Sequence, residues 1–253
     1  MSGDQDVQAA LETIRGKYFD AEGATCDMAA LRASPEYSQL GASLAGLDRL
    51  DFKLVRIQAQ MAFWLNTFNA GVVHAIAELS QASSVREAEA FFEKPRLRVA
   101  GFAYSLDDIE HGLLRGNLPK FSRSRAPMQS DDPRLAHMPI VYDERVHFGL
   151  YSAARSSPPL TVFAPGRVDG QLEDATTHYL RREARVEMEG ASVTLPRQFY
   201  WYADDFGGKQ AVLRFALSRL DEGSVDLVDR RQGAVKVRYL DFDWRFPDNR
   251  KRA

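Results

Sequence analysis

The longest uninterrupted apolar pattern in the chain lies between residues 51 and 79. At about 100° per residue, Leu54, Met61, Leu65, Phe68, Val72, Ile76 and Leu79 share one narrow arc, which predicts a helix. No Asp, Glu, Lys or Arg occurs from 57 to 77, a length that would span a bilayer. Gln58, Gln60, Asn66, Thr67, Asn69 and His74 interrupt that run, and polar groups are costly in hydrocarbon, so a buried core helix is the better reading. Asn69 lies at the edge of the seam and Asn66 flanks it. A buried amide left without partners costs about 1–3 kcal/mol, so Asn69 must be bonded.

Other periods organise the rest. Residues 5–33 read as helical, with Pro35 ending that element, and 97–104 as a short strand or hairpin with a Gly turn. Ser105 to Asp108 resembles a capping box opening a helix that Gly116 stops. On that helix Glu110 falls inside the arc of Leu106, Ile109, Leu113 and Leu114, with His111 on its flank. A carboxylate aimed at a core needs a donor or cation, whether it serves as a structural anchor or as part of a site. Residues 119–143 are proline-rich and loop-like, and Arg145 to Tyr151 reads as a strand. A helix over 171–183, a hairpin over 184–195 centred on Gly190, a helix over 209–222 and a strand over 234–242 follow. The expected architecture is a single α+β domain. It divides into a helical N-terminal extension (1–50), a main body (51–246) and a short tail (247–253).

Composition narrows the chemistry. The 253 residues carry a formal net charge of −2, which gives no reason to expect a nucleic-acid partner. One cysteine, Cys26, excludes a disulfide framework and a cysteine-rich metal centre, and the five histidines show no ligand-like spacing. The N-terminus lacks a signal-like segment. These features favour a cytoplasmic protein with no membrane span, no metal and no cofactor. Phosphate-loop, dinucleotide and GxSxG signatures are missing. What remains is His147 with Ser152, Arg155, Ser156 and Ser157 before two prolines. On an ideal strand 147 and 152 face opposite ways. Ser152 as a loop-capping hydroxyl is therefore the plainer reading, and a nucleophilic role would need a turn that brings a base to it.

Several segments together resemble one family. AFWLNTFNA (62–70) is similar to the AFWINxYNA motif of the DUF547 family, a domain of unknown function, and SLDDIEHGLLRG (105–116) matches its SLDDIEHGILRG block almost letter for letter. Asp132-Pro-Arg134, His147-Phe-Gly-Leu150, the stretch from Val162 to Leu172, FYWYADDFG (199–207) and YLDFDW (239–244) follow in the family's order. The resemblance implies a fold like the papain-like and transglutaminase-like enzymes, with the helical N-terminal part packed on an antiparallel sheet. It also implies acyl-transfer chemistry at an amide, ester or thioester. The family's cysteine falls at Ser152, its following glycine at Ala153, and a second cysteine at Ser157.

Three readings follow from that replacement. Ser152 is a nucleophile with His147 or His111 as base; or the pocket runs a non-covalent reaction with Glu110 and His111 as acid/base pair; or the chain is an inactive binding or scaffold member. In the expected site Glu110 and His111 form the polar centre, and His147 and Ser152 the far wall. Asn66 and Asn69 orient or donate, and Arg155 holds an anionic group. Trp201 and Tyr202, from an aromatic run that core packing would also explain, contact a small-molecule or carrier-bound acyl substrate, as in a biosynthetic cyclisation or condensation.

Overall fold

A computed structural model describes residues 3–79, 82–88, 90–121, 123–188, 191–220 and 235–247. The turn at Gly190, residues 221–222 and 234, and the tail from 248 lie outside the described residues. Helices dominate this mixed α/β structure, and its sheets are small.

The N-terminal helices are α1 (Gly3–Tyr18), α2 (Met28–Arg32) and α3 (Pro35–Gly46). The single helix expected over 5–33 is thus two. Gly23 divides it: its φ is +77°, and a Cβ there would sit 2.6 Å from the Leu160 carbonyl oxygen. Pro35 opens α3 rather than closing an earlier helix. Its ring suits the first helical turn, where no N–H partner is needed, and the Ser34 hydroxyl accepts from Tyr37 N at 3.2 Å. Val7, Leu11 and Ile14 of α1 lie on one face and are buried against α3 and α4 (Ile57–Glu78). The first 50 residues therefore belong to the same core as the main body.

Helix α4 is that core's axis. From Ala62 to Ala77 every residue except His74 is buried, so the helix is enclosed on all sides, whereas Leu54 of the expected seam is exposed. Gly71 lets Leu97 and Leu106 approach closely. Leu97 belongs to an antiparallel hairpin, β1 (Pro95–Val99) and β2 (Phe102–Ser105). Ala100 and Gly101 close it with positive φ at both positions, the geometry that matches strand twist.

Two local expectations change. The segment after Ser105 is capped as expected, since Asp108 N donates to Ser105 Oγ and Ser105 N to Asp108 Oδ2, each at 2.9 Å. It then widens into a π-helix over Asp108–Leu114, closed by Arg115 N donating to the Glu110 carbonyl. The stretch expected as a strand from Arg145 is instead the short helix α5 (Val146–Gly149). Asp143 starts it: its carboxylate accepts from Arg145 N at 2.9 Å and its carbonyl from Val146 N at 3.1 Å.

The C-terminal part comprises α6 (Val168–Glu183), β3 (Arg185–Glu187), β4 (Ser192–Leu195), α7 (Gln198–Trp201), α8 (Lys209–Leu217) and β5 (Lys236–Tyr239). β3 and β4 pair antiparallel, but β4 and β5 run parallel. The antiparallel pairing that the resemblance implies is present in β1–β2 and β3–β4, and β5 adds to the second sheet in parallel. Parallel neighbours need a crossover, and the chain between β4 and β5 carries α7 and α8. Phe148, Tyr179, Phe199, Phe206 and Leu213 fill a second core beneath this sheet. The residues after β5 run back to the first core, where Phe246 N donates to Ser83 O and Cys26 N to Pro247 O.

Candidate functional site

A cavity of about 100 Å³ opens where the two cores meet. The π-helix and the residue before it contribute Asp107, Glu110 and His111; α5 contributes His147; the loop after it contributes Ser152. Gln198, Trp201 and Tyr202 come from α7 and its end, Lys120 from the long loop, and Phe242 and Trp244 from the segment after β5. Phe68 and Leu150 form the apolar floor.

Behind the polar wall lies a buried network. Asp205 accepts from Arg115 Nε at 2.6 Å and from Nη2 at 2.8 Å, and its Oδ2 also faces His147 Nε2 at 2.8 Å. Both side chains of the Asp205–Arg115 pair are only 3% exposed. Burial alone would raise the Asp205 carboxyl, but His147 and Arg115 hold it well below the usual carboxylate range. Asp205 is therefore an anion, so the proton of His147 resides on Nε2, and its Nδ1 lone pair has no hydrogen-bond partner among the described residues. Arg115 Nη1 donates to His111 Nδ1 at 3.0 Å, which places the His111 proton on its Nε2. Burial first, and Arg115 next for His111, pushes both imidazoles below the ordinary value; His147 falls less because Asp205 opposes the shift. The Tyr202 ring stacks on His147 at 4.4 Å and lies 4.3 Å from the Arg115 guanidinium carbon.

Glu110 has the opposite problem. Its side chain keeps 17% exposure at the cavity, yet burial, then the Asp107 charge, pushes its carboxyl up to about 7. Arg115, Lys120 and the Tyr202 hydroxyl oppose that rise without cancelling it. Asp107 is raised as well, by burial, while Lys120 donates to it at 2.7 Å. The cavity thus holds a carboxyl that exchanges its proton near neutrality, a neutral imidazole with a free lone pair, and a serine.

A family model described as "Protein of unknown function, DUF547" matches residues 52–180. The chain belongs to this family. No curated protein and no solved structure matches it. The DUF547 match includes Glu110, His111, Arg115, His147 and Ser152 but ends before Trp201, Tyr202 and Asp205, so the cavity is completed by residues beyond it.

Within the DUF547 region the site residues expected from sequence separate into two groups. Glu110, His111, His147 and Ser152, with Trp201 and Tyr202 beyond it, all line the one cavity. His111, expected on a flank, is 1% exposed, because the π-helix advances less per residue than an α-helix and turns it inward. Asn66 and Asn69 do not face the cavity. Asn66 donates to Phe163 O and accepts from Phe163 N, both at 2.8 Å. Asn69 donates to Gly149 O and Thr161 O and accepts from Tyr151 N. They tie the backbone beside α5 and Ser152 to the core helix. Arg155 is exposed and lies off the cavity, its N–H donating to Arg245 O.

Ser152 itself sits on an unusual backbone. Its N–H donates to Ser157 Oγ at 2.8 Å, and the next residue, Ala153, has φ +54° while fully buried. The Ser152 hydroxyl makes no hydrogen bond to any described residue. Asp205, Arg115, Asp107 and Lys120 were missed as site residues. Arg115 and Asp205 stood inside two of the family-like blocks, but they are 90 residues apart, beyond the reach of any local period.

Among the described residues no group of three or more potential ligands is arranged to hold a metal, and no helix is long and apolar enough to cross a membrane.

Proposed function

We propose that this chain is an acyl-transfer enzyme acting on an amide, ester or thioester. The observation that carries the reading is the convergence of Ser152, Glu110 and His147 on one cavity, with His147 held through Nε2 by the buried Asp205. An imidazole fixed in one tautomer by a carboxylate, with its other nitrogen free, is the arrangement that activates a hydroxyl. In the proposed reaction the Ser152 proton passes to His147 Nδ1 as Oγ bonds to the substrate carbonyl carbon. The tetrahedral adduct collapses by breaking the bond to the leaving group, which takes a proton from neutral Glu110. Water, or another hydroxyl or amine, then attacks the acyl-enzyme carbonyl and gives its proton to Glu110, and the second adduct collapses by breaking the bond to Oγ, which takes back the proton held on His147 Nδ1. His111, neutral and bonded to Arg115, offers its Nε2–H as a donor rather than serving as a base. A papain-like or transglutaminase-like relationship is consistent with this division of roles and belongs to the same proposal.

The Ser152 N–H is bound to Ser157, so it is not free to stabilise an oxyanion, and a side-chain donor at the cavity must do so. A second reading, a binding or scaffold domain that keeps the pocket, is favoured by the absence of a hydrogen bond between the Ser152 hydroxyl and either imidazole among the described residues. The experiment that separates them measures turnover of ester, thioester and amide substrates by the wild type, Ser152→Ala and Glu110→Gln. Acyl transfer requires turnover that falls at least 100-fold in Ser152→Ala. Ligand-induced thermal stabilisation with no turnover by the wild type establishes the binding domain instead.

A further inference from the structure

Next to the catalytic cavity lies a second, larger one of about 430 Å³, whose wall includes Arg123, Ser124 and Arg125. The two cavities share Asp107, His111 and Lys120, so they meet. The charges facing the larger one are three cations, Lys120, Arg123 and Arg125, and two carboxylates, Glu93 and Asp107. Lys120 engages both acids, at 2.7 Å from Asp107 and 3.6 Å from Glu93. That leaves two guanidinium groups. Arg123 and Arg125 are exposed, and their guanidinium groups have no hydrogen-bonding or ion-pair partner among the described residues, the Arg123 backbone N–H alone being bonded, to Lys120 O. Several other arginines here are tied to carboxylates, among them Arg115, Arg134, Arg145 and Arg219.

Two forked, permanently charged groups on a cavity wall, with a serine between them in sequence, suit a doubly charged tetrahedral anion better than a carboxylate, which one arginine satisfies. The catalytic cavity beyond is small and largely walled by Phe68, Leu150, Trp201 and Trp244. From this juxtaposition we infer that the vestibule binds a phosphoryl group, carried on the same molecule as a short apolar acyl group that enters the catalytic cavity. The phosphoryl assignment rests on the vestibule alone; only the identity of the attached group as acyl rests on the acyl-transfer reading.

Binding can be tested without turnover. The probes are inorganic phosphate and a matched pair of non-cleavable thioethers, 2-(butylthio)ethyl phosphate and 2-(butylthio)ethanol, titrated calorimetrically at low ionic strength, since exposed arginines are screened by salt. The wild type is expected to bind the phosphorylated thioether at least tenfold more tightly than the alcohol. Arg123→Ala/Arg125→Ala, at two exposed positions outside the core, is expected to abolish that difference. Equal affinity for the two thioethers in the wild type, or an undiminished preference in the double variant, overturns the inference. Binding of inorganic phosphate without any gain for the phosphorylated thioether overturns its assignment to substrate and leaves a free-ion site. Failure of acyl transfer itself would show separately, as absent turnover with the phosphoryl preference intact.

Discussion

Arg115 grips Asp205 through two parallel hydrogen bonds, at 2.6 and 2.8 Å, and so joins the π-helix to the segment after α7. The pair is nearly inaccessible to water, and Asp205 passes the constraint on to His147. A buried ion pair adds little net stability, but removing one partner strands the other charge.

Asp205→Ala is therefore expected to cost about 3–5 kcal/mol, read by urea denaturation, because Arg115 remains buried and unpaired. Asp205→Asn keeps the shape and should cost less, while its effect on turnover is larger because His147 loses the anion that fixes its tautomer. Equal, small losses of stability in both variants would contradict the network.

Glu110 makes stability depend on pH. Its folded carboxyl sits at about 7 against an ordinary 4.5, so the folded state binds the proton more tightly than the unfolded chain. The protonated form's stabilisation is complete below about 4.5 and is lost as pH rises through 7. Glu110→Gln removes that loss. Relative to the wild type, the variant should gain about 1–3 kcal/mol between pH 5 and pH 8, measured as the difference of denaturation midpoints at the two pH values.

Ala153 occupies the left-handed region at φ +54°. Relief of that strain, about 1–2 kcal/mol, opposes the loss of a buried methyl and the entropy of glycine, together of similar size. Ala153→Gly should then be within about 0.5 kcal/mol of neutral. The neighbouring Ala154, buried without positive φ, should lose about 1–2 kcal/mol on the same change. Chemical denaturation of the two variants side by side checks the contrast.

Asn69 is a structural clamp in this geometry, bonded to three backbone groups in the interior. Asn69→Ala should cost about 2–4 kcal/mol by leaving buried carbonyls and an N–H unsatisfied. A variant that retained full stability and merely bound substrate less well would return Asn69 to the role first expected of it.

Local pattern reached some of this and stopped at definable places. The core helix, the hairpin at Ala100-Gly101, the cap at Ser105 and the facing of Glu110 are consequences of spacing and turn chemistry over a few residues, and they are legible in sequence. The helix at 146–149 was not, because VHFG carries too few residues for a period and Asp143 outside it decides the outcome. The inward turn of His111 depends on an i→i+5 bond that an α-helical wheel does not contain. Asn69 was marked as a buried amide in need of partners, but spacing could not say whether those partners were substrate or backbone, nor that Asn66 beside it would be bonded in the same way.

The sequence by itself determined which residue types stand ready for chemistry and placed the chain in its family through blocks that retain their order. Tertiary structure decided which of them meet. Asp205 lies 58 residues from His147 and 90 from Arg115, and only the packing of the segment after α7 against α5 and the π-helix brings them together. Burial then raises the Glu110 carboxyl to about 7, while His147 and Arg115 hold the enclosed Asp205 as an anion, because the cost of a charge in the interior depends on its neighbours in space.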